Sequence, residues 1–285
     1  RKGLSVYRLA RYRDALGDPL GSHREMIRRM AKSPAMLAYL DGPQNVRENP
    51  NENLARELLE LHTLGVNGGY SQRDVMEVAR CLTGWGIETR FLRRRGTLRF
   101  DPDRHDDGPK LVLGVAIPAG GGERDLDAVL DILVARPETA RFCAAGLVRR
   151  FLGRDDARWT DRLATAYADS SGSIRETLRP LVTSPDLLHA EPREKRPFET
   201  VVSALRAVGA RTDAGPALRG HLAAMGHAPY EWPMPDGYPL EPEAWRGGSL
   251  PRWRFGLALA RNAIEGTELP DAPPVGLSPK RPGPD

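Results

Sequence analysis

The chain has 285 residues, 40% of them hydrophobic and 28% charged, with a formal net charge of +4. That length buries a sizeable core in one large domain or two small ones, and no run approaches the roughly 18 apolar residues that a membrane-crossing helix needs. The positive balance does not point to nucleic acid. Only five of the 42 basic residues are lysines, and the arginines alternate with Asp and Glu along most of the chain, as on solvated ion-pair faces.

Helical periodicity opens the sequence: residues 5–16 and 22–32 place Val6, Leu9, Tyr12, Met26 and Met30 at helical spacing. The start, Arg1-Lys2-Gly3-Leu4, carries no apolar leader, and the compartment, periplasmic, exported or cytoplasmic, stays open. Ser33-Pro34 begins a short helix with proline in its first turn, and residues 41–50 read as an ordered loop. A long helix is expected from Asn51 to Leu64, closed by Gly65. A second runs from Ser71 to Thr83, opened by a capping box with Asp74 in place of Glu and stopped by Gly84-Trp85-Gly86.

Residues 87–115 alternate and carry β-branched side chains, which predicts a small hairpin packed on the helices. The run Arg93-Arg94-Arg95 reads as its solvated turn, the alternative being an anion-binding patch, and Asp101–Lys110 is too polar for a strand. Helices resume at 123–135, 137–152, 157–169 and 173–183, then at 197–209, 215–225 and 251–264. Residues 227–250 hold five prolines and four aromatics, a loop long enough to be functional or to serve as a cover. The expected fold is therefore mainly α: a multi-helix globular domain over 1–265 with a small β-hairpin insertion around 87–115. Residues 266–285 read as a Pro-rich disordered tail. Cys81 and Cys143 lie in apolar helical patterns and read as buried free thiols.

Three segments carry more polar chemistry than packing requires. On the helix after Asn51, Glu52, Arg56 and Glu60 share one stripe, with Asn53 and Glu57 beside it. Leu54, Ala55, Leu58, Leu59 and Leu61 cover the other directions, so burial on more than one side is expected, with partly desolvated carboxylates. Such groups need a counter-charge or a proton, which suits acid–base work or a hard divalent metal; the alternative is a structural ion-pair ladder. His62, at the helix end, reads as structural. The loop Arg104-His105-Asp106-Asp107-Gly108-Pro109-Lys110 gathers an imidazole, two carboxylates and an ammonium. It suits metal ligation, proton transfer or anion binding, or else a turn bonded to itself.

The third segment is Pro235-Asp236-Gly237-Tyr238-Pro239 with Trp232 and Trp245, a pocket lining or a lid. Glu57, Glu60, His105 and Asp106 are thus the catalytic candidates, and Arg56, Arg80, Lys110, Tyr238 and Trp245 the substrate-binding ones. Glu52, Glu57 and His105 are candidate ligands for a divalent metal. An enzyme of this kind, hydrolytic or group-transferring, needs these groups to converge on a cleft beneath residues 227–250. The competing reading is a non-catalytic helical scaffold or partner-binding module. Nucleotide-binding glycine loops, the HExxH zinc motif, the GxSxG elbow and CxxC pairs are all missing from the sequence.

The run NENLARELLELHTLGVNGGYSQRDVMEVARCLTGW (51–85) resembles the hallmark of the bacterial domain of unknown function 1800 family. So do SPAMLAYLD (33–41), HDDGPKLVLG (105–114), ETARFCAAGLVRRF (138–151) and PDGYP (235–239). The resemblance implies a bacterial setting, a further N-terminal region before the first helix, and a partner from an associated family of alkaline-phosphatase-like appearance. It implies no reaction. The family's recurring polar positions correspond to Glu52, Asn53, Arg56, Glu57, Glu60, Arg80, Thr83, His105, Asp106, Gly108 and Lys110. Arg136 departs from the pattern, standing where members often carry histidine.

Overall fold

The computed structural model describes residues 17–88, 96–192, 194–234 and 236–271. The helix expected over 5–16, the Arg93–Arg95 run, Pro235 and the chain from 272 onward lie outside them. The chain divides into two compact units, Arg1–Ala190 and Glu191–Asp285.

In the first unit, helix α1 (His23–Ala31) starts where the Ser22 hydroxyl accepts the Glu25 N–H, and α2 (Pro34–Tyr39) starts on Ser33 with Pro34 in its first turn. Helix α3 (Asn53–Glu60) is shorter than the glycine at 65 suggests. The Thr63 hydroxyl donates to the Leu58 carbonyl at 2.8 Å, and the chain turns there instead of continuing. Helix α4 (Gln72–Cys81) opens with the expected Ser71–Asp74 capping box.

Where one hairpin was expected there are two antiparallel ribbons. Strand β1 (Trp85–Ile87) pairs with β2 (Leu98–Phe100), and β3 (Lys110–Val112) with β4 (Val115–Ile117). The second ribbon turns through Leu113 and Gly114, both at positive φ (51° and 81°), which is the two-residue turn that matches strand twist. Helices α5 (Arg124–Val134), α6 (Pro137–Leu152), α7 (Ala157–Asp169), α8 (Ile174–Val182) and α9 (Pro185–Leu188) complete the unit. Pro137 opens α6, Gly153 closes it at a φ of 72°, and Asp156 caps α7.

The main core of this unit gathers Ile27, Leu37, Leu54, Leu58, Val75, Val78, Val112, Leu126, Val129 and Leu133. A second cluster joins Val148, Leu152, Trp159, Leu163 and Leu181 across α6, α7 and α8. Each fully buried leucine contributes about 1.5–3 kcal/mol.

The second unit is built on α10 (Pro197–Ala207), α11 (Pro216–Ala224) and α12 (Ser249–Ala260), with a short ribbon of β5 (Arg211–Thr212) and β6 (Thr267–Glu268). Val201, Leu205, Leu218, Leu222, Phe255 and Leu259 form its core. Among the described residues no helix is long and apolar enough to cross a membrane. Helices dominate both units, and the described sheets are three two-stranded ribbons, so the fold is mainly α.

Candidate functional site

Helix α4 carries Asp74, Glu77 and Arg80 at three-residue steps, a polar row along one face. That row is turned on strand β3 and the loop before it. One Asp74 oxygen accepts the Ser71 N–H at 2.8 Å and the other accepts the Leu113 N–H at 2.8 Å. Glu77 accepts the Leu111 N–H at 2.8 Å, and Arg80 donates to the Pro109 carbonyl at 3.2 Å. Alternate backbone groups of a strand point to opposite edges. The α4 side chains therefore serve the edge of β3 that β4 leaves open, and they hold Leu113 in its left-handed turn. Arg136 completes that hold by donating to the Leu113 carbonyl at 3.2 Å.

Arg80 also binds Asp106 through Nε (2.6 Å) and Nη2 (3.2 Å), while Nη1 meets both Glu77 oxygens at 3.0 Å. The bond from Arg80 holds the Asp106 carboxyl below the usual carboxylate range against the opposing effect of burial.

Beneath this row lies a buried ionic cluster. Lys110 Nζ is 2.5 Å from Asp125 Oδ2, the side chains 0% and 1% exposed, and the same ammonium donates to the Asp106 carbonyl. His105 Nε2 faces Asp125 Oδ2 at 3.2 Å, and its Nδ1 faces the Thr83 carbonyl at 2.9 Å. Both ring nitrogens face acceptors, so the ring N–H points inward in either tautomer. The Thr83 hydroxyl donates to the Arg80 carbonyl at 2.7 Å and accepts the Asp106 N–H at 2.8 Å. A Cβ on Gly121 would stand 1.7 Å from Asp125 Oδ1, so the carboxylate has its place only because residue 121 is glycine. Asp107 fastens the neighbouring turn by accepting the Gly122 N–H at 3.3 Å. Cys81, alongside, has its thiol pushed up to about 12 by burial and then by the Asp125 charge.

The α3 carboxylates do not join this cluster, and they are not deeply buried. Only one face of α3 is, with Leu54, Ala55, Leu58 and Leu59; the polar stripe is turned outward. Arg56 binds Glu52 at 2.7 Å, Gln72 at 2.8 Å and Glu60 at 3.4 Å, and Gln72 returns a bond to Glu52 at 2.6 Å. The three charged side chains are 36% (Arg56), 36% (Glu52) and 25% (Glu60) exposed, a solvated ladder. Glu57 is half-buried on the same helix. Among the described residues no group of three or more His, Cys, Asp or Glu side chains is arranged to hold a metal ion. Glu52, Glu57 and His105 are thus not brought together as a ligand set.

His62 belongs to another, half-buried site with His23. His23 Nδ1 bonds the Tyr167 hydroxyl at 2.7 Å. Burial lowers both imidazoles to about 4, His23 being depressed further by His62. Cys143, half-buried, has its thiol raised to about 11 by burial.

An open cleft of about 230 Å³ lies beside the loop, lined by Pro43, Gly84, Gly86, Ile87, Arg99, Asp101 and Arg104. Arg99 is held by Asp101 at 2.7 Å and Arg104 by the Pro43 carbonyl at 2.8 Å.

Tyr238 and Trp245 sit in the second unit around a residue that sequence reasoning missed, His227. Its ring stacks on Trp245 (4.6 Å, 20°) and meets Tyr238 at 4.4 Å. Tyr238 donates to the Ala228 carbonyl at 2.7 Å and Trp245 to that of Pro239 at 3.0 Å. Toward α10 the contact is at His227, whose Nδ1 accepts the Phe198 N–H at 3.3 Å. Asp125 was also missed. Its signal was its helical phase, which it shares with the buried Val129 and Leu133.

A family model described as protein of unknown function (DUF1800) matches residues 2–280. No curated protein and no solved structure matches the chain.

Proposed function

The chain belongs to the DUF1800 family, and from that premise we propose that it is a non-catalytic helical module that binds another protein, its buried charges being architectural. One observation carries the reading. His105 and Lys110, the strongest candidates for proton transfer and anion binding, are 3% exposed each and are satisfied by Thr83, Asp106 and Asp125. A general base must reach its substrate's proton, and a ligand-holding lysine must reach its anion. Neither group is offered to solvent.

The hydrolytic or group-transfer alternative requires the α3 carboxylates and His105 in one solvent-reachable hollow. The ladder around Arg56 and the cluster around Asp125 are instead two networks, each closed on its own partners. A module of this kind keeps a rigid frame beneath a binding surface, and the associated alkaline-phosphatase-like protein is the first partner to test.

The test is calorimetric titration of that partner into wild type and into Lys110→Met combined with Asp125→Leu, at a temperature where both are folded. Equal affinity is expected. Loss of binding by the folded variant, or absence of binding by wild type, overturns the reading.

A further inference from the structure

Helix α12 is apolar on two opposite sides. Phe255 and Leu259 face the core of the second unit at 2% and 6% exposure. On the far side Leu250, Trp253 and Leu257 are 59%, 72% and 52% exposed. At roughly 100° per residue, these three and two exposed arginines, Arg254 and Arg261, fall within an arc of about 100°. Trp253 forms one edge, the two leucines the centre, and Arg261 and Arg254 the other edge. Three large apolar side chains in one exposed row mark an interaction surface rather than scattered exposure. Trp and Arg are also the residues that most often dominate binding energy.

Charge selects the occupant. Residues 249–261 contain three arginines and no carboxylate. Arg252 reaches Glu194 at 3.4 Å, whereas neither Arg254 nor Arg261 forms an ion pair with a described residue. A second copy of this helix brings the same arginines and no acid to meet them. An interfacial membrane helix carries its cations across a polar face that borders the apolar one on both sides; here Arg252, beyond Trp253, is engaged with Glu194, and the two arginines outside ion pairs line one edge only.

We propose that the outer face of α12 docks an amphipathic segment of another protein, apolar where it covers Leu250, Trp253 and Leu257, with Asp or Glu along the edge that meets Arg254 and Arg261. The proposal rests on the binding-module reading and names the surface and the chemistry of its partner.

The experiment uses the full chain and two fluorescent helical peptides with the same leucine face, one edged with Glu and the other with Lys. Phosphatidylglycerol vesicles and sedimentation of the chain alone run in parallel. The Glu-edged peptide is expected to bind wild type and to lose affinity at least about tenfold on Trp253→Ser. The double variant Arg254→Glu with Arg261→Glu is expected to reverse the preference towards the Lys-edged peptide. These side chains are exposed, so the variants should unfold at the wild-type temperature, and a lowered one discounts that variant in favour of the other. No binding of the Glu-edged peptide, equal binding of both, or a preference the charge reversal leaves unchanged overturns the proposal. So does Trp253-dependent binding to vesicles alone, or a Trp253-dependent dimer alone. Failure here with the core variant still binding its partner sinks only the α12 assignment.

Discussion

Lys110→Met removes the ammonium while keeping most of the side-chain volume. It leaves Asp125, 1% exposed, with no ammonium beside it and only the His105 ring facing the same oxygen. Breaking a buried ion pair from one side costs about 3–5 kcal/mol, because the other charge stays desolvated. Typical total stabilities are about 5–15 kcal/mol, so the variant forfeits about a fifth or more of the fold's margin. Asp125→Leu strands the ammonium and costs a similar amount. The double variant removes both charges. It still leaves His105 Nε2 and the Asp106 carbonyl short of a partner, at about 1–3 kcal/mol each, yet it is expected to be more stable than the sum of the singles by at least about 2 kcal/mol. Urea unfolding at neutral pH, with the denaturant slope unchanged between variants, measures all four corners. Additive losses would refute the reasoning, since they would mean that the two groups do not depend on each other.

Other consequences follow from the same contacts. Gly121→Ala, whose Cβ would fall 1.7 Å from Asp125 Oδ1, should lower the unfolding temperature about as much as Lys110→Met; a wild-type temperature would contradict the packing. Glu77→Ala should speed hydrogen exchange at the Leu111 N–H, which loses its 2.8 Å acceptor, and cost about 1–3 kcal/mol; unchanged exchange would contradict it. Arg56→Ala, in a pair about a third exposed, should cost under about 1 kcal/mol and less still in salt, as thermal unfolding at two ionic strengths will show. The His23 and His62 imidazoles, lowered by burial from 6.5 to about 4, are neutral in the folded chain. The unfolded chain binds protons first, so their contribution is complete above pH 6.5 and is lost as pH falls from 6.5 towards 4. His23→Gln should blunt the acid limb of the stability–pH curve, and an identical limb would count against this assignment.

Helix ends were legible where a single residue sets them. Pro137, Gly153 and Asp156 mark α6 and α7 as they stand. The end of α3 was not, because the Thr63 side-chain bond competes with a glycine stop that looks stronger in sequence. Two ribbons were read as one hairpin because the tight turn uses Leu113 at positive φ, a residue that announces no such turn; its conformation depends on Asp74 and Arg136, distant in sequence. His105, Asp106 and Lys110 were picked out on one polar loop and Arg80 separately as a substrate-binding candidate; contacts through Asp106 and Asp125 link the four. Their anchor, Asp125, was hidden in what looked like an ordinary acidic first turn. The α3 ladder was expected to be buried because leucine count was taken for circumference, whereas the polar stripe faces outward. The exposed side of α12 was invisible to periodicity, because apolar residues on both sides of a helix cancel any preferred direction.

Acylation of the folded chain with a water-soluble amine reagent, read lysine by lysine in mass spectra, probes the central claim directly, since Lys110 is 3% exposed. Lys110 should be modified only as fast as the whole chain unfolds, far behind the exposed Lys195. Modification of Lys110 in the native state at a rate like that of Lys195 would place its ammonium in a solvent-reachable site and contradict an architectural role.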